Sequence, residues 1–129
     1  MSELDPGVRR AFDSTSVAHL ATVLPDGSPH TVPLWVATHG DRIVFLTGPH
    51  SRKARNLHRD PRVALSMAPL DNPFEPVIVR GRVVEWLDGD VAWEIIDRIS
   101  MKYLGRPYPR DEERVVGVIE PERQTVGVG

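Results

Sequence analysis

The sequence predicts a mainly β domain, a small closed barrel with short flanking helices. Three observations carry that prediction. Six or seven runs of strand-forming residues are separated by turn signals rather than by long helices, which favours a barrel over a βαβ sheet. Gly81 interrupts the longest run, "PVIVRGRVVEW", where a barrel strand needs a sharp bend or bulge. The 129 residues suit one domain spanning 1–129, long enough to bury a real core.

Each element has a local reason. "SELDPGVRRAFDS" reads as a short helix, with Asp5 as N-cap, Pro6 at the first helical position, and Val8, Ala11 and Phe12 on one side. Ser16–Leu24 is rich in strand formers, and Pro25–Ser28 is a turn in which Gly27 takes positive φ. Pro29–Thr38 resumes as a strand, and a turn at His39–Asp41 leads into "RIVFLT", completing an antiparallel meander. Pro33 cannot donate to a ladder, so it implies an edge, a bulge or a place where something else packs. After a basic segment come the strand "RVALSMA", the loop "PLDNPFE" and the long strand Pro76–Trp86. "DGDVAWEIIDRISMKYLG" is the clearest helix: Asp90 caps it, Val91, Ile95, Ile99 and Tyr103 follow i, i+4 spacing, and Gly105 ends it. "RPYPRDE" is a loop, and "RVVGVIEPERQTVGVG" supplies one strand and a second short one.

Composition excludes several classes. No apolar run approaches the ~20 residues of a membrane span. The start, "MSELDPGVRR", is polar and acid-bearing, unlike a signal or transit peptide. Cysteine is absent, which excludes disulfides and thiolate metal sites and fits a cytoplasmic protein. A net charge of −2 argues against a general nucleic-acid binder. The five histidines show no H-x-x-x-H spacing, so no metal is assigned. There is no G-x-S-x-G and no H-E-x-x-H, and no catalytic residue is assigned.

Against that acidic background, Thr47–Val63, "TGPHSRKARNLHRDPRV", carries Arg52, Lys53, Arg55, Arg59 and Arg62 with Asp60 as its only acid. Ser51 is a good N-cap and Asp60-Pro61 a good stop, so about nine residues between them form a helix. Ala54 and Leu57 are its only apolar residues, too few to contribute much to a core. Arg52 and Lys53 fall in the first turn, where the helix macrodipole opposes cations by ~0.3–1 kcal/mol each. A bound phosphate would reverse that: free N–H groups, the Ser51 hydroxyl, Lys53 and arginine would converge on one anion. The competing reading is a solvated basic face. RNA binding is less favoured, because aromatics do not interleave with these cations.

The segment "FLTGPHSRKARNLHRDPRVALSM" resembles the pyridoxamine-phosphate-oxidase-like split barrels, in which a strand ending in Thr and a Ser-Arg-Lys-like helix start grip a flavin phosphate. "DGSPHTVPLWV" is similar to the second strand of that family and "DNPFEPVIVRGRVVEW" to its long strand. "MKYLGRPYP" followed by "ERVVGVIEPERQTVG" is similar to the tail of the deazaflavin-dependent branch. The motifs run in order over about residues 10–127. The resemblance implies an FMN-binding-type split β-barrel that works as a homodimer, with the cofactor at the subunit interface. It implies that Lys53 holds the cofactor phosphate with Ser51, Arg52 and Arg55 nearby, and that Asn56 holds the phosphate or the ribityl chain. Thr47 and Gly48 line the approach, and the ring system lies along His30, Thr31, Val32, Pro33 and Leu34. Trp35 is either a ring neighbour or core, with core favoured.

The chain lacks the C-terminal extension that clamps substrate in the vitamin B6 oxidases, so that activity is not expected. Coenzyme F420 and FMN share a tricyclic ring, a ribityl chain and a phosphate. The tail motifs favour F420, with FMN the alternative. The implied activity is a reductase that passes a hydride from reduced deazaflavin to a small electron-poor organic substrate; a proton would come from solvent, Tyr103 or Tyr108. The competing class is a carrier that binds F420 or FMN without turnover. Neither nucleic acid nor membrane is an expected partner.

Overall fold

The computed structural model describes residues 3–127. Its elements are helix α1 (Pro6–Asp13), strands β1 (Ala18–Val23), β2 (Pro29–Leu34), β3 (Val36–His39) and β4 (Arg42–Thr47), helix α2 (Arg52–Arg59), strands β5 (Arg62–Met67) and β6 (Val77–Leu87), helix α3 (Gly89–Leu104) and strand β7 (Val115–Val126). All ladders are antiparallel, in one curled seven-stranded sheet of order β2-β1-β5-β6-β7-β4-β3. The two edge strands, β2 and β3, are consecutive in the chain and separated only by Trp35. The sheet therefore curls into a barrel whose edges are joined through the chain and not through a ladder, a split barrel.

The expected single strand Pro29–Thr38 is thus two, broken at Trp35. Pro33 lies on β2, an edge strand, where a missing N–H costs no second ladder. The expected pair of strands at the C-terminus is one, β7, and it runs through Pro121. A register shift between Arg80 and Gly81 puts Pro121 opposite Gly81, so the proline sits at a bulge. Gly81 is required there: a Cβ would overlap the Glu120 carbonyl oxygen. Helix α3 starts earlier than expected. Its N-cap is Asp88, Asp90 lies in the first turn, and Gly105 closes it at φ 74°.

Burial explains the strand patterns. One apolar cluster fills the barrel, from Val8 and Phe12 on α1 through Leu20, Phe45, Leu65, Met67 and Val79. A second forms where α3 lays Ala92, Ile95, Ile96 and Ile99 on Ala37, Val44, Val116 and Val118. Strand β4 is covered on both faces and so reads as a continuous apolar run. Val91 is 59% exposed, so the buried stripe of α3 is shifted from the expected one. Helix α2 contributes more than its composition suggests, because Ala54 and Leu57 are both buried and Leu57 joins the barrel core.

At the Trp35 corner the ladder stops and backbone groups need other partners. Side chains from the end of α3 provide them. The Tyr103 hydroxyl donates to the Ser16 carbonyl at 2.8 Å and accepts from the Val36 amide at 3.3 Å. Lys102 Nζ donates to the Phe12 carbonyl at 2.7 Å and to the Val36 carbonyl. Burial lowers the Lys102 pKa to about 8, with Arg98 adding to the effect and Asp13 opposing it.

Candidate functional site

The site begins where β4 turns into α2. Ser51 caps the helix: its Oγ accepts from the Ala54 amide at 3.1 Å and shares a hydrogen bond with Thr47 Oγ1 at 2.7 Å. The Ser51 amide donates back to the Gly48 carbonyl at 3.2 Å. Strand end, turn and helix start are stitched into one rigid corner. No acid occupies the first helical turn.

Lys53 projects from that corner into a cleft of about 580 Å³, whose lining includes Thr47, Ser51, Tyr108 and Arg114 and also the acids Glu112 and Glu113. Lys53 is half-buried and has no hydrogen bond or ion pair among the described residues. Its pKa is lowered first by burial and then by repulsion from Arg114. Arg114 arrives because β7 pairs with β4, with Val115 opposite Thr47. A Cβ on Gly48 would lie 3.8 Å from Arg114 Nη1. Two cations thus face one cleft beside a capped helix N-terminus, and only Arg114 has an acid, Glu112, at 3.1 Å.

The cleft adjoins a smaller cavity of about 200 Å³ lined by Leu34, Trp35, Leu46 and Tyr108. Leu46 and Tyr108 belong to both parts. Trp35 is held by stacking on Tyr103, with centroids 5.2 Å apart and planes 7° from parallel, and meets Tyr108 edge-on at 6.3 Å. The loop that carries Tyr108 and Arg114 is fastened to α3. Asp97 takes Arg110 through both carboxylate oxygens at 2.6 Å each and accepts the Tyr108 amide at 3.1 Å. Arg110 also lies 4.3 Å over the Trp93 ring. Those bonds, with Arg110 foremost, hold the Asp97 carboxyl below the ordinary carboxylate range.

The sequence profile of the pyridoxamine 5'-phosphate oxidase family matches residues 4–125. The chain belongs to that family. Among solved structures it resembles an F420 reductase, with TM-score 0.82 and 29% identity over 95% of this chain and 98% of the other. It also resembles a conserved hypothetical protein from Mycobacterium tuberculosis, with TM-score 0.77 and 26% identity over 98% of this chain and 86% of that one. General stress protein 26 from Bacillus anthracis shares the fold, with TM-score 0.71 at 18% identity over 92% and 88% of the two chains. No curated protein matches the sequence.

Of the site residues expected for this family member, Thr47, Gly48, Ser51, Lys53 and Leu34 line the two parts of the cleft. Arg52 and Arg55 are exposed on α2 and outside its lining. Asn56 is directed elsewhere. It is fully buried, its Nδ2 donates to Thr22 Oγ1 at 3.0 Å, and its Oδ1 accepts from Arg59 Nη2 at 3.2 Å. Asn56 fastens α2 to β1 from a fully buried position outside the cleft lining. On β2, His30, Val32 and Leu34 are half-buried and Thr31 and Pro33 are exposed, so the strand presents alternate residues to each side. His30 Nδ1 is buried without a hydrogen-bond partner.

Arg114 and Leu46 are absent from the sequence-based set. Arg114 lies in an acid-rich loop 61 positions after Lys53, and only the β4–β7 pairing brings the two together. Leu46 lies at the end of the β4 face that α3 covers, beside the buried Val44, and the continuous apolar run "RIVFLT" does not mark it as a cleft residue. Trp35, read from the sequence as ring neighbour or core with core favoured, packs against the α3 cluster and also lines the smaller cavity. Tyr103, considered as a proton source, has its hydroxyl committed to backbone at the corner.

Proposed function

We propose that the chain is an oxidoreductase that holds the deazaflavin coenzyme F420, with FMN the alternative, along this cleft and reduces a small electron-poor organic substrate. The observation that carries the reading is Lys53: a half-buried cation, lacking an acid partner among the described residues, beside a capped helix N-terminus and a second cation, Arg114. A desolvated lysine repelled by its neighbour is costly in the free protein and favourable once an anion arrives. The likeness to an F420 reductase over nearly the whole of both chains supports the deazaflavin over the flavin.

The residues present fit such a group in two respects. The phosphate end offers Lys53, the α2 N-terminus, Ser51 and Arg114. The other end is an open apolar depression formed by Leu34, Leu46, Trp35 and Tyr108, which can take the edge of a planar ring. When bound, the cofactor supplies the hydride chemistry. The chain's own residues bind and orient. Lys53 and Arg114 fix one end, Trp35 and Leu34 limit tilt at the other, and the Asp97–Arg110 clamp keeps Tyr108 in the wall. Tyr108 is the one tyrosine of the two whose ring lines the cleft, which makes it the hydroxyl placed to pass a proton.

The cleft is open along one side, and we place a second copy of the chain there, as a homodimer with each cofactor at the interface. Titration of the apo-protein with F420 and with FMN, followed by ring fluorescence, tests the cofactor. Tight binding of F420 supports the reading, preference for FMN moves the protein to the flavin alternative, and binding of neither refutes both. Turnover of enone or imine substrates with reduced F420 separates enzyme from carrier, because a carrier binds tightly and reduces nothing.

A further inference from the structure

The outer face of β5, β6 and β7 carries a second concentration of positive charge that shares no residue with the cleft. Arg62, Arg80, Arg82 and Arg123 surround a groove of about 480 Å³ together with Gly81 and Glu122. The ladder register sets them in like-charge pairs. Arg62 lies opposite Arg82, and Arg80 lies opposite Arg123. Like charges directly opposite on adjacent strands are destabilising. The acids are shared unevenly between the two pairs: both fall to the Arg62–Arg82 pair. Asp60 takes Arg62 at 2.7 Å and Glu122 takes Arg82 at 2.9 Å. Arg80 and Arg123 have no acid partner among the described residues, and both are exposed.

The arrangement depends on a specific backbone feature. The register shift after Arg80 leaves Glu122 unpaired in the ladder, and Glu122 and Arg123 are exposed as consecutive residues. Regular alternation would send one of the two inward. The bulge requires Gly81, where any Cβ would overlap the Glu120 carbonyl oxygen. The bulge thus sets Arg123 on the same groove as Arg80 and Arg82, and two of the four arginines there have no acid partner among the described residues.

We infer that this arginine face is a separate anion site, which takes a dianionic oxyanion between Arg80 and Arg123. Residues directly opposite have Cβ atoms about 5 Å apart, so two planar guanidiniums reach one phosphate monoester or one short dicarboxylate. Arg62 and Arg82, already bound to Asp60 and Glu122, flank the ligand without having to release their acids.

The test uses the full chain carrying Lys53→Ala, so that binding in the cleft is weakened, at low ionic strength where exposed charges are least screened. Inorganic phosphate and succinate are titrated separately, following the arginine Nε–H signals by NMR. These two arms distinguish the phosphate source from the dicarboxylate source. The expected result is saturable binding of at least one probe, about tenfold weaker when Arg80→Ser and Arg123→Ser are added. Thermal unfolding of the Arg80→Ser/Arg123→Ser protein without ligand should be unchanged or slightly higher, because the substitutions remove repulsion and no pairing. Affinity within twofold with and without the two arginines overturns the inference, as does failure of both probes to saturate. Either result leaves the reading of the Lys53 cleft untouched.

Discussion

Replacing Lys53 with alanine should separate binding from stability. In the free protein Lys53 has no partner among the described residues, is partly desolvated, stands beside Arg114, and opposes the α2 macrodipole from the first turn. Its removal therefore forfeits only some packing of its aliphatic stem, and unfolding free energy should stay within about 0.5 kcal/mol of the parent. For a chain of this length, with an unfolding entropy of about 2.1 cal/mol/K per residue, that is a change of about 2 °C in Tm. Anion binding should suffer far more. Loss of one charged hydrogen bond to a phosphate costs about 1.5–3 kcal/mol, which is roughly 10- to 150-fold in Kd. The assays are cofactor titration by fluorescence and thermal unfolding of the apo-protein, run on one preparation. Unchanged Kd refutes the phosphate role. A fall in apo Tm of more than about 4 °C shows instead that Lys53 supports the fold, and the argument from an unpartnered cation fails.

Three further outcomes follow from other parts of the structure. Gly117→Ala would put a Cβ 2.5 Å from Phe45 Cε1 in the barrel core, a clash worth about 1–3 kcal/mol; urea unfolding should show most of that loss disappear in a Phe45→Leu background, and a full loss there would sink the steric explanation. Lys102 gives up its proton near pH 8 when folded and near 10.5 when unfolded, so the unfolded state binds more protons between those values and stability rises with pH across that window. The gain is at most about 1.4 kcal/mol per pH unit, and Lys102→Met should flatten it relative to the parent; equal slopes in the two proteins would refute the assignment. Asp97→Asn should release the loop bearing Tyr108 and Arg114, weakening cofactor binding several-fold while costing about 1 kcal/mol or less in stability, because the Asp97–Arg110 pair is partly exposed. Since Arg110 holds the Asp97 carboxyl below its ordinary range, the clamp should persist in mild acid and open only as pH falls through that lowered value. Loop opening is read from Trp93 fluorescence, and a transition at ordinary carboxylate pH would contradict the pairing.

Much of the fold was legible because its signals are local. Ser51 caps α2, Pro6 starts α1, Gly105 ends α3, and Gly27 and Gly81 mark a turn and a bulge, each for a backbone reason that needs no distant partner. The strand break at Trp35 was not legible. Pro33 signalled an irregularity in "PHTVPLWVAT" but not a break at Trp35; there Tyr103 and Lys102, some 67 residues away, satisfy the Val36 backbone groups. The C-terminal run, expected as one strand and a second short one, is a single strand because a bulge opposite Gly81 accommodates Pro121.

The site divides the same way. The sequence alone determined that cations gather at the start of Ser51–Arg59, in conflict with the macrodipole whatever the fold around them; the anion site is the reading proposed for that conflict. The sequence also placed Thr47 and Gly48 beside that start, since they are its chain neighbours. Which cations face the cleft was decided only by the tertiary structure. Lys53 and Arg55 are two residues apart on α2, and helical geometry turns one into the cleft and the other to solvent. Asn56, next in line, is drawn to Thr22 by the packing of α2 on β1. Arg114 enters through the pairing of β4 with β7, and Trp35 through the meeting of two sheet edges. These are long-range contacts, and residue order along the chain carries no record of them until the sheet has closed.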